Sequence, residues 1–267
     1  MIERLLNINP ERIAVTELFG TIGAPARTTE YVRMFKALEE NKRIRAVVID
    51  IDSPGGSAGP SEYIFRSVAR LAKQKPVIAF VRGMGASGAY MVACGATKVV
   101  AIPTALVGSI GVISMRPMLY ELLEKIGVRV EIVKAGRLKD MFSFFREPTA
   151  EERQKEQALL DSFYERFVDL VSEARGMPGE RVRELATGEL FTAEQAKGNG
   201  LIDEIGDLET AIDQAQSLAE MGERRVTYVR PHRGLRDRLL GNSAMALVDR
   251  AAWALEGGLR RGISYRA

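Results

Sequence analysis

The sequence predicts an α/β protein: a parallel sheet with flanking helices. Three observations predict it. Short runs such as Arg45-Ala46-Val47-Val48-Ile49-Asp50-Ile51 and Pro76-Val77-Ile78-Ala79-Phe80-Val81 are apolar almost throughout, as strands covered on both faces should be. Segments with a helical apolar stripe separate them, Ile64, Phe65, Val68 and Leu71 being the clearest case. Gly-rich and Pro-containing turns follow the strands, where open α/β sheets meet their ligands.

The elements follow in order. Arg12–Leu18 reads as a first strand, followed by a turn over 19–26. Thr28-Thr29-Glu30 starts a helix that runs through Glu40. The second strand, over 45–51, runs into Asp52-Ser53-Pro54-Gly55-Gly56-Ser57, and a helix follows from Ser61 to Gln74. The third strand, over 76–81, leads into Arg82-Gly83-Met84-Gly85-Ala86-Ser87-Gly88 and a short buried helix ending at Cys94. Lys98–Ile102 is a further strand. A helix over 118–126 and a strand over 128–133 come next, then a loop over 134–145. Thr149 and Glu152 form a capping box that opens a long helix through about Glu173. Helices are expected over 179–185, 192–198 and 208–219, a late strand over 225–229, and an amphipathic helix over 243–255. Composition shifts near Met221, so the chain divides into a domain over 1–220 and an Arg-rich extension over 221–267.

Composition narrows the function. The 267 residues, 46% hydrophobic and 27% charged, suit an ordinary globular protein. A net charge of +3 is too small to argue for nucleic acid. The charge is unevenly placed: Met221–Ala267 holds ten arginines, no lysine and four acidic residues. Such a tail can meet anionic lipid, RNA or an acidic neighbouring subunit, or remain a solvated extension. The single cysteine, Cys94, sits among apolar residues and reads as a small core residue. No signal peptide or membrane span is expected: the longest uncharged run, over 99–115, is broken by Pro103, Gly108 and Gly111. The expected location is cytoplasmic or peripheral to a membrane.

Ser87 is the candidate nucleophile. It lies in a sharp strand-to-helix turn between residues with almost no side chain, and its hydroxyl sits at a helix N-terminus where free N–H groups can stabilise an oxyanion. The other reading is a tight packing turn. A serine nucleophile needs a base, and the only histidine, His232, lies in the Arg-rich tail. A desolvated lysine can take its place. Lys139 stands among Leu138, Met141, Phe142 and Phe144, but Arg137 and Asp140 flank it, so local sequence alone favours a surface lysine over a base. Ser109, inside an apolar run, is either a turn hydroxyl or a partner for that amine. Backbone N–H groups of the Gly55-Gly56 turn and of Gly88 could form an oxyanion hole. Asp50 and Asp52, with no histidine nearby, are a poor metal-ligand set, and no cofactor is expected.

These motifs together resemble the signal peptide peptidase A (SppA) family of serine proteases, peptidase family S49, within the ClpP/crotonase fold of repeated β-β-α units. The resemblance runs from about Ile13 to Ala219. It is carried by the 52–56, 83–88, 108–112 and 136–140 motifs and by Phe191–Ala196 with Gly200–Gly206. It implies Ser87 as nucleophile, Lys139 as general base, Ser109 as the residue that orients the lysine, and Gly56 and Gly88 as oxyanion donors. It implies a homo-oligomeric ring in which Ser and Lys meet across a subunit boundary. Substrates would be signal-peptide remnants, membrane-derived peptides or unfolded polypeptides, cleaved through an acyl-enzyme. The competing readings are a phage-type capsid maturation protease, a crotonase-type acyl-CoA enzyme and a non-catalytic ring scaffold.

Overall fold

The apolar runs form the centre of one sheet. In the computed structural model, which describes residues 10–23 and 25–231, β1 (Arg12–Phe19), β2 (Ile44–Ser53) and β3 (Val77–Ala86) lie parallel, with β2 in the middle. β4 (Lys98–Ala101) runs beside Ile78–Val81 of β3, and β5 (Leu106–Gly108) beside its second half, Met84–Ala86. One long strand therefore serves two short partners. β6 (Leu190–Thr192) is antiparallel to β5, β7 (Glu204–Ile205) is parallel to β4, and β8 (Val226–Tyr228) is parallel to β1.

Helices cover both faces. They are α1 (Pro25–Glu40), α2 (Ala58–Ala72), α3 (Gly88–Cys94), α4 (Tyr120–Lys125), α5 (Ala150–Arg175), α6 (Gly179–Leu185), α7 (Ala193–Gly198) and α8 (Leu208–Leu218). Side chains alternate across a strand. Val47, Ile49 and Ile51 thus meet Phe35, Leu71, Tyr90 and Phe167 in the larger core, while Ala46, Val48, Ile78 and Phe80 meet Ala211, Ile212 and Ala215 of α8. Burial on both faces explains why the β2 and β3 sequences are continuous apolar runs. The register shifts between Ile51 and Ser53, which sets Ser53 opposite Gly85. Such an irregularity bends a strand end, here where two glycine-rich turns meet.

The expected helix boundaries hold to within a few residues for α5 to α8, and Thr149 and Glu152 form the expected capping box. The strand expected over 128–133 does not form. Its alternation supplies an apolar face, but it pairs with no strand among the described residues, and Val133 is 91% exposed. It belongs to an arm, over 111–149, in which no residue is buried. The short strands β5, β6 and β7 have too few residues for their period to be visible in sequence.

The expected domain boundary also shifts. β8 hydrogen-bonds within the sheet, with Val229 N–H donating to Val15 O at 2.8 Å, and the compact unit extends to Val229. A division at 220 would separate a strand from its sheet. The amphipathic helix expected over 243–255 and His232 lie outside the described residues.

A chain ending after Pro231 is therefore expected to keep the thermal stability of the compact unit. A chain ending after Glu220 loses the β1–β8 ladder and should melt several degrees lower by calorimetry, on the order of 2–4 °C for each kcal/mol lost in a domain of this size.

Candidate active site

Ser87 is the residue at which β3 ends and α3 begins. Its backbone has φ 51° and ψ −123°, a conformation L-residues rarely adopt. Two hydrogen bonds hold it there. Its N–H donates to Gly108 O at 2.7 Å, and its C=O accepts from Met91 N–H at 3.0 Å. The first bond extends the β3–β5 pairing, in which Ala86 faces Gly108. Ser109 is thus the residue beside Ser87, one step beyond that pair. It too has a positive φ, 49°, and its N–H donates to Glu189 O at 2.7 Å. Both serines are half-buried.

The 52–57 turn closes over Ser87 from β2. Ile22 N–H donates to Gly55 O and Ile22 O accepts from Ser57 N–H, each at 2.8 Å. This bridge consumes the groups on either side of Gly56 and leaves the Gly56 N–H outside it. The Ser53 hydroxyl accepts from Gly55 N–H at 3.1 Å and tightens the turn. A Cβ on Gly55 would lie 2.6 Å from Gly88 N and 2.9 Å from Ser87 Cβ, while one on Gly88 would collide with Ser61 Oγ and lie 3.5 Å from Gly56 N. Glycine at these positions is thus a requirement of close approach. Gly88 opens α3, so its N–H has no intrahelical acceptor. Ser87 stands between the Gly55-Gly56 turn and the start of α3.

Lys139 is elsewhere. It lies on an exposed turn of the arm, with its N–H donating to Gly136 O at 3.1 Å. Its amine has no hydrogen-bond or ion-pair partner among the described residues. A hydrogen bond to Gly108 sets Ser87 near Ser109, and close backbone approach sets the Gly55-Gly56 turn against Ser87 and Gly88, whereas no contact joins Lys139 to any of them among the described residues. Nor does Lys139 have the burial that a lysine base needs.

The charged groups beside Lys139 are strongly ordered. Arg146 holds the Asp140 carboxyl well below the usual carboxylate range, with help from Lys134. Arg146, and then Thr149 N–H, hold Glu152 down at about 2. Arg146 is raised in turn, first by Glu152 and then by Asp140. Depressed carboxylates stabilise the folded state above their ordinary values, so this contribution is lost as the pH falls from about 4.5 towards 2.

Other candidates find structural roles. Asp50 is buried and paired with Arg82, whose guanidinium lies over the Phe19 ring at 5.5 Å. Asp52 Oδ1 accepts from Met84 N–H at 3.0 Å. Neither faces a metal site, and no group of three or more metal-ligating residues occurs among the described residues. Cys94 is buried beside Tyr90, and burial pushes its thiol up to about 12. Sequence reasoning missed Ser61, whose Oγ donates to Ser57 O at 2.8 Å and packs against Gly88. Its only signal was a small polar residue at the buried start of a helix. It also missed Arg146, which carries no local signal at all.

A serine in a strained strand-to-helix turn, set in a largely parallel sheet, defines the Clp-type α/β architecture, and a match to the Clp protease family covers residues 20–107. The fold is that of a membrane-bound stomatin-specific protease structure, with a TM-score of 0.54, 17% identity, and 84% of this chain and 99% of that one covered. A match to peptidase family S49 covers residues 69–222, and the chain belongs to that family. It is 38% identical over 191 residues to a candidate protease of Methanocaldococcus jannaschii, covering 72% of this chain and 61% of the relative. It is 35% identical over 237 residues to the chloroplast serine protease SPPA of Arabidopsis thaliana, covering 86% of this chain and 35% of the relative. The chain thus spans about three fifths of the first relative's length and about a third of the second's. Among the described residues, no helix is long and apolar enough to cross a membrane.

Two outcomes follow from this geometry. Ser87→Gly should be more stable than Ser87→Ala by roughly 1 kcal/mol in urea unfolding, because glycine relieves the strained turn. The Cys94 thiol should be silent to a thiol reagent in the native protein near neutral pH and react fully in urea.

Proposed function

We propose that this chain is a serine endopeptidase in which Ser87 is the nucleophile and Lys139 the general base. The observation that carries the reading is the strained Ser87 turn between the Gly56 and Gly88 N–H groups. Membership of family S49 and similarity to the Arabidopsis relative, a serine protease, support it.

In this reading Ser87 Oγ attacks the scissile carbonyl carbon as its proton passes to the neutral Lys139 amine. The Gly56 and Gly88 N–H groups hold the oxyanion. The ammonium then returns the proton to the leaving amine, which departs and leaves an acyl-enzyme on Ser87. Water, deprotonated by the same amine, attacks the ester carbonyl; the Ser87 C–O bond breaks, the ammonium returns the proton to Ser87 Oγ, and the acid is released. Ser109, beside Ser87, orients the amine by a hydrogen bond.

Lys139 is exposed on the arm, so the reading requires a second copy to cover it and bring it to Ser87. Support comes from the arm's own surface. Ile113, Met115 and Val133 are each more than 80% exposed, and Phe142, Phe144 and Phe145 are at least 40% exposed. Apolar exposure of this extent along one segment fits a contact between copies. Burial in that contact would also favour the neutral amine. The substrates proposed are membrane-derived or unfolded polypeptides held extended past the Ser87 turn, in a homo-oligomeric ring. Contact of the basic tail with an anionic membrane surface is a further part of the proposal.

Labelling with a serine-reactive fluorophosphonate tests the reading directly. The adduct is expected on Ser87 and to be missing from Lys139→Ala; a labelled Lys139→Ala protein, or an adduct on another serine, contradicts the assignment. Lys139→Arg should be as inactive on unfolded casein as Lys139→Ala, because a guanidinium does not accept the hydroxyl proton. Each variant should lose on the order of a thousandfold or more in kcat.

A further inference from the structure

Lys139 is held by a network its own side chain does not join. Asp140, the next residue, accepts from Arg146 Nε at 2.7 Å and pairs with Lys134. The same guanidinium donates to Glu152, through Nη1 at 2.8 Å and through Nη2. Its Nη2 also reaches the Asp140 carbonyl at 3.3 Å. Glu152 belongs to the capping box of α5: its carboxylate accepts from Thr149 N–H at 2.8 Å and its own N–H donates to Thr149 Oγ1 at 3.2 Å. The far half of α5 lies in the core through Phe167, Val168, Leu170 and Val171. Arg146 thus links the Lys139 turn to a helix anchored in the folded body, and it is the better-covered of two links, the other being the exposed pair of Arg137 with Glu151. The link is well covered: the side chains of Asp140 and Glu152 are 13% and 3% exposed, although the arm around them is open.

The charges matter as much as the geometry. Lys134, Asp140, Arg146 and Glu152 form a cluster that is neutral as a whole. The other charged groups around this turn are already paired: Arg137 with Glu151 of α5, and Glu147 with Arg153 of α5. Removing the Arg146 charge alone would leave at −1 a cluster whose Asp140 is the next residue after Lys139, and a negative charge near an amine favours the ammonium.

We propose that Arg146 is the positioning residue for Lys139, fixing its turn to the start of α5 and cancelling the adjacent Asp140 and Glu152 carboxylates so that the amine can release its proton. The proposal rests on the reading of Lys139 as general base.

The experiment measures kcat and KM against pH for peptide cleavage by the full chain and its variants, with circular dichroism and sizing chromatography on each. Arg146→Ala is expected to lower kcat about tenfold, with KM little changed. Its rising pH limb should move to higher pH by about half a unit. Adding Asp140→Asn to Arg146→Ala restores a neutral cluster, so the limb should return while kcat stays low. Arg146→Lys should keep the wild-type limb and regain part of kcat. Glu152→Gln leaves the cluster at +1 and keeps a side chain that can cap α5; its limb should move to lower pH. This opposite sign keeps the test decisive if Arg146→Ala fails to fold or assemble. A role confined to stability would lower the active fraction without moving any limb. Unmoved limbs in Arg146→Ala or Glu152→Gln, or a limb that stays displaced in the double variant, overturn the proposal. Lys139→Ala separates the two levels: if it is active, the base assignment fails; if it is dead while the limbs stay fixed, only the positioning role fails.

Discussion

The hydrogen bond from Ser87 N–H to Gly108 O is the constraint on which the candidate site depends. It ends the β3–β5 pairing and holds the following backbone in a left-handed conformation that a serine would not choose alone. The surrounding chain meets this turn at contact distance. Gly55 lies against Ser87 and the Gly88 amide, and Gly88 lies against Ser61. These approaches leave no room for side chains, which is why the motifs on either side are rich in glycine.

The two halves of the candidate site sit in opposite physical environments. Ser87 is set in a sheet covered on both faces, where packing fixes the backbone on every side. Lys139 rides on an arm without one buried residue. Such a segment has few contacts to order it, and here charge takes over the role that packing plays in the core. Arg146 fixes the Lys139 turn to α5, Arg116 Nη1 reaches Glu156 at 2.7 Å, and the Arg116 guanidinium lies over the Phe142 ring at 5.7 Å. Exposed ion pairs contribute little, but Asp140 and Glu152 are largely covered, and Arg146 holds both by direct hydrogen bonds. The arm thus has internal order, while its apolar side chains remain open for a partner surface.

Local patterns in the sequence determined a good deal by themselves. The apolar runs of β1 to β3, the capping box of α5 and the small-residue turn around Ser87 are all written in neighbouring residues, because strand burial, helix capping and tight turns are short-range effects. What only the tertiary structure decided was pairing between distant segments. The short strands β5 and β6 have no readable period, yet β5 supplies the carbonyl that fixes Ser87. β8 looks like the start of a basic tail but is the outer strand beside β1. The alternation over 128–133 was real but found no edge to pair with, so that stretch stayed in the arm. The contact of Gly55 with Gly88 and the link from Asp140 through Arg146 to Glu152 join residues by distance in space. Hydrogen bonds and close contacts between remote parts of the chain leave no periodic mark in the sequence, so only the folded molecule could reveal them.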